Sequence, residues 1–197
     1  MEQVTPRPDE EAAYDLLEQQ VRELYGRVIY SHKTHEKAAE SDRNKANAAK
    51  VLQISLSALV TAGAVTALVV KDWAPMVTAL LSATLTALNA YLKNLDPSAS
   101  AQKHRGAAAE LWTVRESYLS LITDLAMRTI SIDDARRRRD ELQDRLGAIY
   151  NTAPPTDASS YKKAQKGLKQ ADELTFSEEE IDKFLPQALR KAGRQRK

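Results

Sequence analysis

The sequence predicts an all-α membrane protein: a two-span transmembrane helical hairpin whose long cytoplasmic helices pack as a bundle, in a homo-oligomer. Three observations carry this. Residues 51–70, "VLQISLSALVTAGAVTALVV", and 73–92, "WAPMVTALLSATLTALNAYL", each run 20 residues without a charge. A helix of that length rises roughly 30 Å, the thickness of a bilayer core. The remainder of a 197-residue chain is too polar and too short to bury two such helices in tandem. Elsewhere apolar residues recur at steps of three and four, and only two Phe and two Trp are present, a composition that favours helices over sheets.

Composition narrows the function classes. Lys plus Arg number 29 against 27 Asp plus Glu, so the average charge predicts no nucleic-acid partner and any basic patch must be local. The chain has no cysteine, which excludes disulfides, zinc–thiolate sites and thiol nucleophiles.

The first segment, residues 1–50, reads as a cytoplasmic helix. From Asp9 to Lys50 it holds no proline and one glycine, and Tyr14, Leu17, Val21, Leu24 and Val28 form a heptad-like stripe. Nothing breaks the pattern before Val51, so one helix is expected to run from the cytoplasm into the membrane. The first span does not read as a signal peptide, because a charged segment precedes it and no small-residue cleavage site ends it.

Residues 51–92 form the hairpin. Only Lys71 and Asp72 separate the two runs, and Pro75 stands near the start of the second, where proline is tolerated. Residues 31–50 carry five Lys or Arg, and Lys93, Lys103 and Arg105 follow the second span, against Lys71 alone in the turn. The positive-inside rule then puts both termini in the cytoplasm, with Trp73 at the outer interface and Tyr91 at the inner.

Residues 93–152 supply two more helices. "LDPSAS" interrupts after the second span, with Pro97 as the boundary. A stripe of Ala107, Leu111, Val114, Tyr118, Leu121 and Leu125 matches the first in spacing. Ser131 and Asp134 resemble a capping box for a helix from Ile132 to about Asn151, striped by Ile132, Ala135, Leu142, Leu146 and Ile149. Residues 153–197 read as a linker, a short helix capped by Ser177 and Glu180, and a basic tail, "RKAGRQRK", suited to anionic membrane lipids. One apolar stripe per helix needs a partner, so the first two stripes are expected to pack beneath the membrane.

Within the spans, Gln53, Ser57 and Thr61 share one helical face. Thr78, Ser82, Thr86, Asn89 and Lys93 make a continuous polar stripe along the second. Two readings stand: pore lining, or helix association through hydroxyls and the small face of Ala79, Ala83 and Ala87. Asn89 stands out, because an amide in hydrocarbon needs a partner or water. The spans carry no charge, so ion-coupled transport finds little support, and Lys93 at the inner mouth would weakly disfavour cations.

The segment "YSHKTHEKAAE", residues 30–40, raises the question of a metal. His32 and His35 share a face, but "HKTHE" is neither zinc pattern of two histidines and a glutamate, and His104 is the only further histidine. The stripe continues from Val28 through Ser31, His35 and Ala38, so His35 is expected to hydrogen-bond across the bundle to residues 102–110. Lys33, Glu36, Lys37 and Glu40 are expected to point elsewhere. His32, His35, His104 and Arg105 are therefore candidates for coupling the cytoplasmic helices to the spans. The run Arg136 to Arg139 reads as a solvated or interface face, its charges spread around the helix and flanked by acids. Lys162, Lys163 and Lys166, with Lys169, fall on one helical side and are the candidates for an anionic ligand. No glycine-rich phosphate loop is present.

The order of these pieces resembles a known family. A helix ending in "YSHKTHEKAAE" precedes a two-span hairpin, then "ELWTVRESYLSLITDL", "IYNTAPPTDASSYKKA" and "LTFSEEEIDKFLPQAL". From about residue 14 to 189 this is similar to the SLATT family, two-span effector domains associated with nucleotide-sensing bacterial conflict systems. The resemblance implies oligomers in the inner membrane that open a pore, collapse the membrane potential and stop phage spread. It also implies control by a nucleotide or oligonucleotide signal made by a partner nucleotidyltransferase. Two other classes stay open: a non-conducting membrane scaffold or sensor that anchors a partner protein, and a metal-dependent membrane enzyme. No catalytic residue and no cofactor is assigned.

Overall fold

The computed structural model describes residues 8–186 and Arg190, so the basic tail lies outside the described residues except for Arg190. The described residues form six helices and no strand: α1 (Pro8–Ala67), α2 (Ala74–Leu95), α3 (Pro97–Ala126), α4 (Ile132–Thr152), α5 (Ala158–Gln170) and α6 (Glu178–Phe184).

With no proline inside it after the first residue, α1 runs 60 residues, about 90 Å. Its polar half and its apolar half are one continuous element, as the unbroken pattern predicts. The turn at its far end differs from expectation. α1 stops at Ala67, and residues 68–73 make the reversal, where Lys71 and Asp72 alone were expected. Two residues cannot cross the 8–10 Å between packed helix axes, so the last apolar residues leave the helix. Val69 and Val70 both donate to the Thr66 carbonyl and tighten its end.

Asp96 joins α2 to α3. It holds a left-handed conformation (φ 33°, ψ 66°), donating its N–H to the Leu92 carbonyl as the C-cap of α2. Its carboxylate accepts from Ala99 N–H at 3.0 Å as the N-cap of α3, and Pro97 occupies the first turn. A single residue therefore ends one helix and starts the next.

Below the hairpin α3 lies along α1. Tyr14, Leu17, Val21 and Val28 meet Leu111, Val114, Tyr118, Leu121 and Leu125, with Ala135 and Ile149 from α4, and all are buried. Leu24, Leu142 and Leu146 are half-buried against them. The α3–α4 turn is pinned to α1: Tyr14 Oη donates to the Ile130 carbonyl at 2.9 Å, and the Arg128 guanidinium lies 4.7 Å from the Tyr14 ring centre. Ser131 caps α4 through Asp134 N–H, and Ser177 and Glu180 form the reciprocal capping box of α6.

One helix was read as linker. Residues 158–170 form α5, which docks on α1 through buried Ser160, Ala164 and Gly167 and a Tyr30–Tyr161 ring contact with centroids 6.0 Å apart. Its buried face is made of small residues, so it leaves no apolar stripe in the sequence. The visible signal is its N-cap, Asp157, which accepts from Ser160 N–H at 2.7 Å. Docking of the α5 segment overturns one orientation. Lys33 does not point away but is buried, bonded to Glu36 at 2.8 Å and to Glu173, just beyond α5, at 2.6 Å.

Candidate functional site

Two regions hold the nominated residues: the seam of the hairpin, and a histidine joint in the bundle below it.

The hairpin seam is fixed at two heights. Near the bundle, Gln53 Nε2 donates to Asn89 Oδ1 at 2.8 Å. Near the turn, a Cβ at Gly63 would stand 2.6 Å from Thr78 Oγ1, so only glycine permits this approach. Between these points the half-buried contact line is Leu56 and Val60 on α1, with Leu81, Leu85 and Leu88 on α2. Thr78 is part of that line and donates to the Ala74 carbonyl at 2.8 Å, so it faces α1 instead of sharing a free face with Ser82 and Thr86.

The remaining polar residues fall on one side. One residue past the contact line, about 100° around the helix, both antiparallel helices turn to the same flank of the hairpin. Those positions include Ser57 and Thr61 on α1, and Ser82, Thr86, Asn89 and Lys93 on α2. All six are exposed, and Ile54 is the one large apolar side chain among these positions. One residue before the contact line lies the other flank. It exposes Leu52, Leu59, Val77, Leu80 and Tyr91, interrupted by Ser55, Thr66 and Thr84. Thr61 and Thr86 hydroxyls donate to the Ser57 and Ser82 carbonyls at 2.9 Å, leaving lone pairs directed outward. At the inner end Gln53, Asn89, Lys93, Lys50 and Asp96 meet around an open hollow of about 240 Å³.

The histidine joint lies below. His35 Nδ1 and His104 Nδ1 are 3.0 Å apart, both residues buried, which gives His35 a partner within residues 102–110. One nitrogen must donate and the other accept, so the two rings cannot both be protonated. Burial, then the neighbouring His104 and His32, pushes His35 down to about 4. Burial also lowers His104, opposed by the charges of Asp42 and Asp157. Asp42 accepts from Ser100 Oγ at 2.6 Å and Lys45 Nζ at 2.8 Å, tying α1 to the start of α3 next to the hairpin. Asp42 and Ser100 were not nominated from sequence, because short polar residues at ordinary helical positions carry no distinguishing pattern.

His32 does not join the pair. Its Nε2 lies 3.7 Å from Glu36, and with Arg105 it lines a groove between α1 and α3. Lys163 and Lys166 line another groove with Lys37 and Glu173, and Lys162 is exposed and lines neither. The nominated ligand residues are thus split. Among the described residues no group of three or more His, Cys, Asp or Glu converges with a geometry for a metal. Each arginine of the run Arg136 to Arg139 pairs with an acid, respectively Asp133, Asp134, Asp124 and Asp140.

No curated protein and no solved structure matches the chain. A family model does, over residues 17–180: the SMODS and SLOG-associating 2TM effector domain family 4. Its two membrane-spanning helices correspond to the two apolar helices here, whose most apolar stretches have no buried share. The match covers the hairpin and nearly all of the bundle and ends in the first turn of α6, and the chain belongs to this family of two-span effector domains.

Proposed function

We propose that the protein is the membrane-permeabilising effector of a bacterial antiphage defence system. Several copies assemble in the inner membrane with both termini in the cytoplasm and turn their polar flanks inward around a pore. The observation that carries this is the asymmetry of the hairpin: Ser57, Thr61, Ser82, Thr86, Asn89 and Lys93 fall on one flank, and bulky apolar side chains dominate the other. A lone hairpin in lipid gains nothing from this division. In a ring it places hydroxyls and amides on water and leucines on acyl chains. A nucleotide-derived signal from a partner nucleotidyltransferase controls assembly or opening, and loss of membrane potential arrests the cell.

The Asn89→Leu protein tests the pore. It is expected to reach the membrane fraction at wild-type abundance, yet conduct at least tenfold less in planar bilayers and lose toxicity. Ser82→Leu, which leaves the Gln53–Asn89 bond intact, is expected to act in the same direction. Wild-type currents from both variants would remove the polar flank from the conduction path. Absence of current from the wild-type protein, with and without nucleotides, would favour a non-conducting scaffold.

A further inference from the structure

The seam between α1 and α3 opens into a groove of about 700 Å³, the size of a small-molecule site. His32, Glu36, Glu40 and Arg43 form the α1 wall, and Arg105 and Trp112 the α3 wall. The floor is apolar, made by buried Ala39 and Ala108.

Several features mark it as a binding surface. Arg43 and Arg105 have neither ion pair nor hydrogen bond among the described residues, whereas Arg115, Arg128 and Arg139 each bond an acid. The groove's own acids are ion-paired from behind, Glu36 with Lys33 at 2.8 Å and Glu40 with Lys37 at 3.5 Å, both lysines being shared with Glu173. Trp112 is 50% exposed, an uncommon cost for the largest side chain in the bundle. His32 is 5% exposed, and its buried Nδ1 has no hydrogen-bond partner. Orphaned buried nitrogens are rare and need a reason.

The chemistry of these groups is convergent. An indole face stacks on an aromatic base. Two free guanidiniums hold a phosphate through paired, charge-assisted bonds. A lipid headgroup shares the phosphate but not the base. Trp112 follows the end of the second span at Leu92 by 20 residues, about 30 Å of helix, which removes it from the headgroup layer.

We propose that the α1–α3 groove is a receptor site for a nucleoside phosphate or short oligonucleotide. The base stacks on Trp112, the phosphate lies between Arg43 and Arg105, and the bound ligand clamps α1 to α3. Since α1 enters the first span directly and α3 follows the second through Asp96, the clamp biases the hairpin. The nucleotide class of the ligand rests on the signal control proposed above. The location rests on the groove alone.

Binding is read on the full-length protein in nanodiscs, in a Trp73→Phe background that leaves Trp112 as the sole tryptophan. The probes are ATP, the linear dinucleotide pApA and inorganic pyrophosphate, in nanodiscs with and without phosphatidylglycerol. Saturable quenching by ATP or pApA is expected, at least tenfold tighter than by pyrophosphate. Arg105→Gln and Arg43→Gln are each expected to weaken it about tenfold at unchanged helical content. Lys163→Gln, in the other groove, is expected to leave it unchanged. Lack of quenching at millimolar nucleotide, equal affinity for pyrophosphate, or a signal that follows phosphatidylglycerol alone overturns the site. So does a Trp112→Ala protein that loses oligomeric mass but keeps calorimetric nucleotide binding, which would make Trp112 a subunit contact. Quenching needs no current, so a binding but non-conducting protein would sink the pore and leave the receptor site standing.

Discussion

In the bundle and in the hairpin alike, α1 packs against a second helix, yet opposite contacts hold the two halves. The bundle seam buries Val21, Val28, Leu111, Val114, Tyr118 and Leu125 completely. The hairpin seam has Ala74 as its one buried residue and is otherwise a line of half-buried leucines, one glycine approach and one amide pair. In water each fully buried aliphatic side chain contributes about 1.5–3 kcal/mol. In lipid that gain vanishes, because acyl chains are as apolar as leucine, and close packing and polar pairs remain. A bundle held by burial thus carries a hairpin held by close packing and polar pairs.

The comparison can be broken most forcefully at Leu111. Leu111→Ala is expected to destabilise the protein by about 2–5 kcal/mol, read by thermal denaturation, through lost burial and a residual cavity. Leu56→Ala in the hairpin should cost less than about 1 kcal/mol. Equal losses would mean that both halves are held in the same way.

The next largest effect lies at the joint between the halves. His35 titrates at about 4 in the fold and near 6.5 when unfolded. As pH falls from 6.5, the unfolded chain takes up the proton first. Stability supplied by this group is complete above pH 6.5 and lost on falling toward 4, a change on the order of 3 kcal/mol. His32 and His104 are lowered in the same direction. His35→Asn cannot titrate, so its stability should be flatter across that window. Equally steep profiles for wild type and variant would assign the acid sensitivity elsewhere.

The hairpin itself is probed by Gly63→Ala. The new methyl group collides with Thr78 Oγ1, so spin labels at positions 56 and 85 should separate, at a cost of about 1–3 kcal/mol. Combining it with Thr78→Ala should restore the distance. Failure of that rescue would show that the seam is not set at this contact.

Glu173→Gln is the mildest case. It removes the carboxylate whose ordinary range is depressed chiefly by its bond to Lys33. A cost of about 1 kcal/mol or less is expected, seen as faster amide exchange in α5 without change in the bundle.

Much of this was legible in the chain. Helix existence, the caps at Ser131 and Ser177, and the buried stripes followed from local spacing. What escaped was made of small or short polar residues. α5 hides because Ala164 and Gly167 are its buried face. Lys33 was expected to point away from the seam, and its burial was missed because no pattern marks the segment carrying Glu173 as its partner. Trp112 and Arg43 drew no notice because a groove between helices leaves no periodic mark.

The sequence by itself determined five of the six helices, two uncharged spans and the residues of the bundle seam. These depend on 3.6-residue periodicity and on hydrocarbon thickness, both properties of contiguous chain. Only the tertiary structure decided that Gln53 meets Asn89, that His35 meets His104 while His32 turns into a groove, and that Ser57, Thr61, Ser82, Thr86 and Asn89 share one flank. Each of these depends on how two helices are rotated about their own axes, and a rotation is set by the whole contact line rather than by any residue's neighbours in sequence.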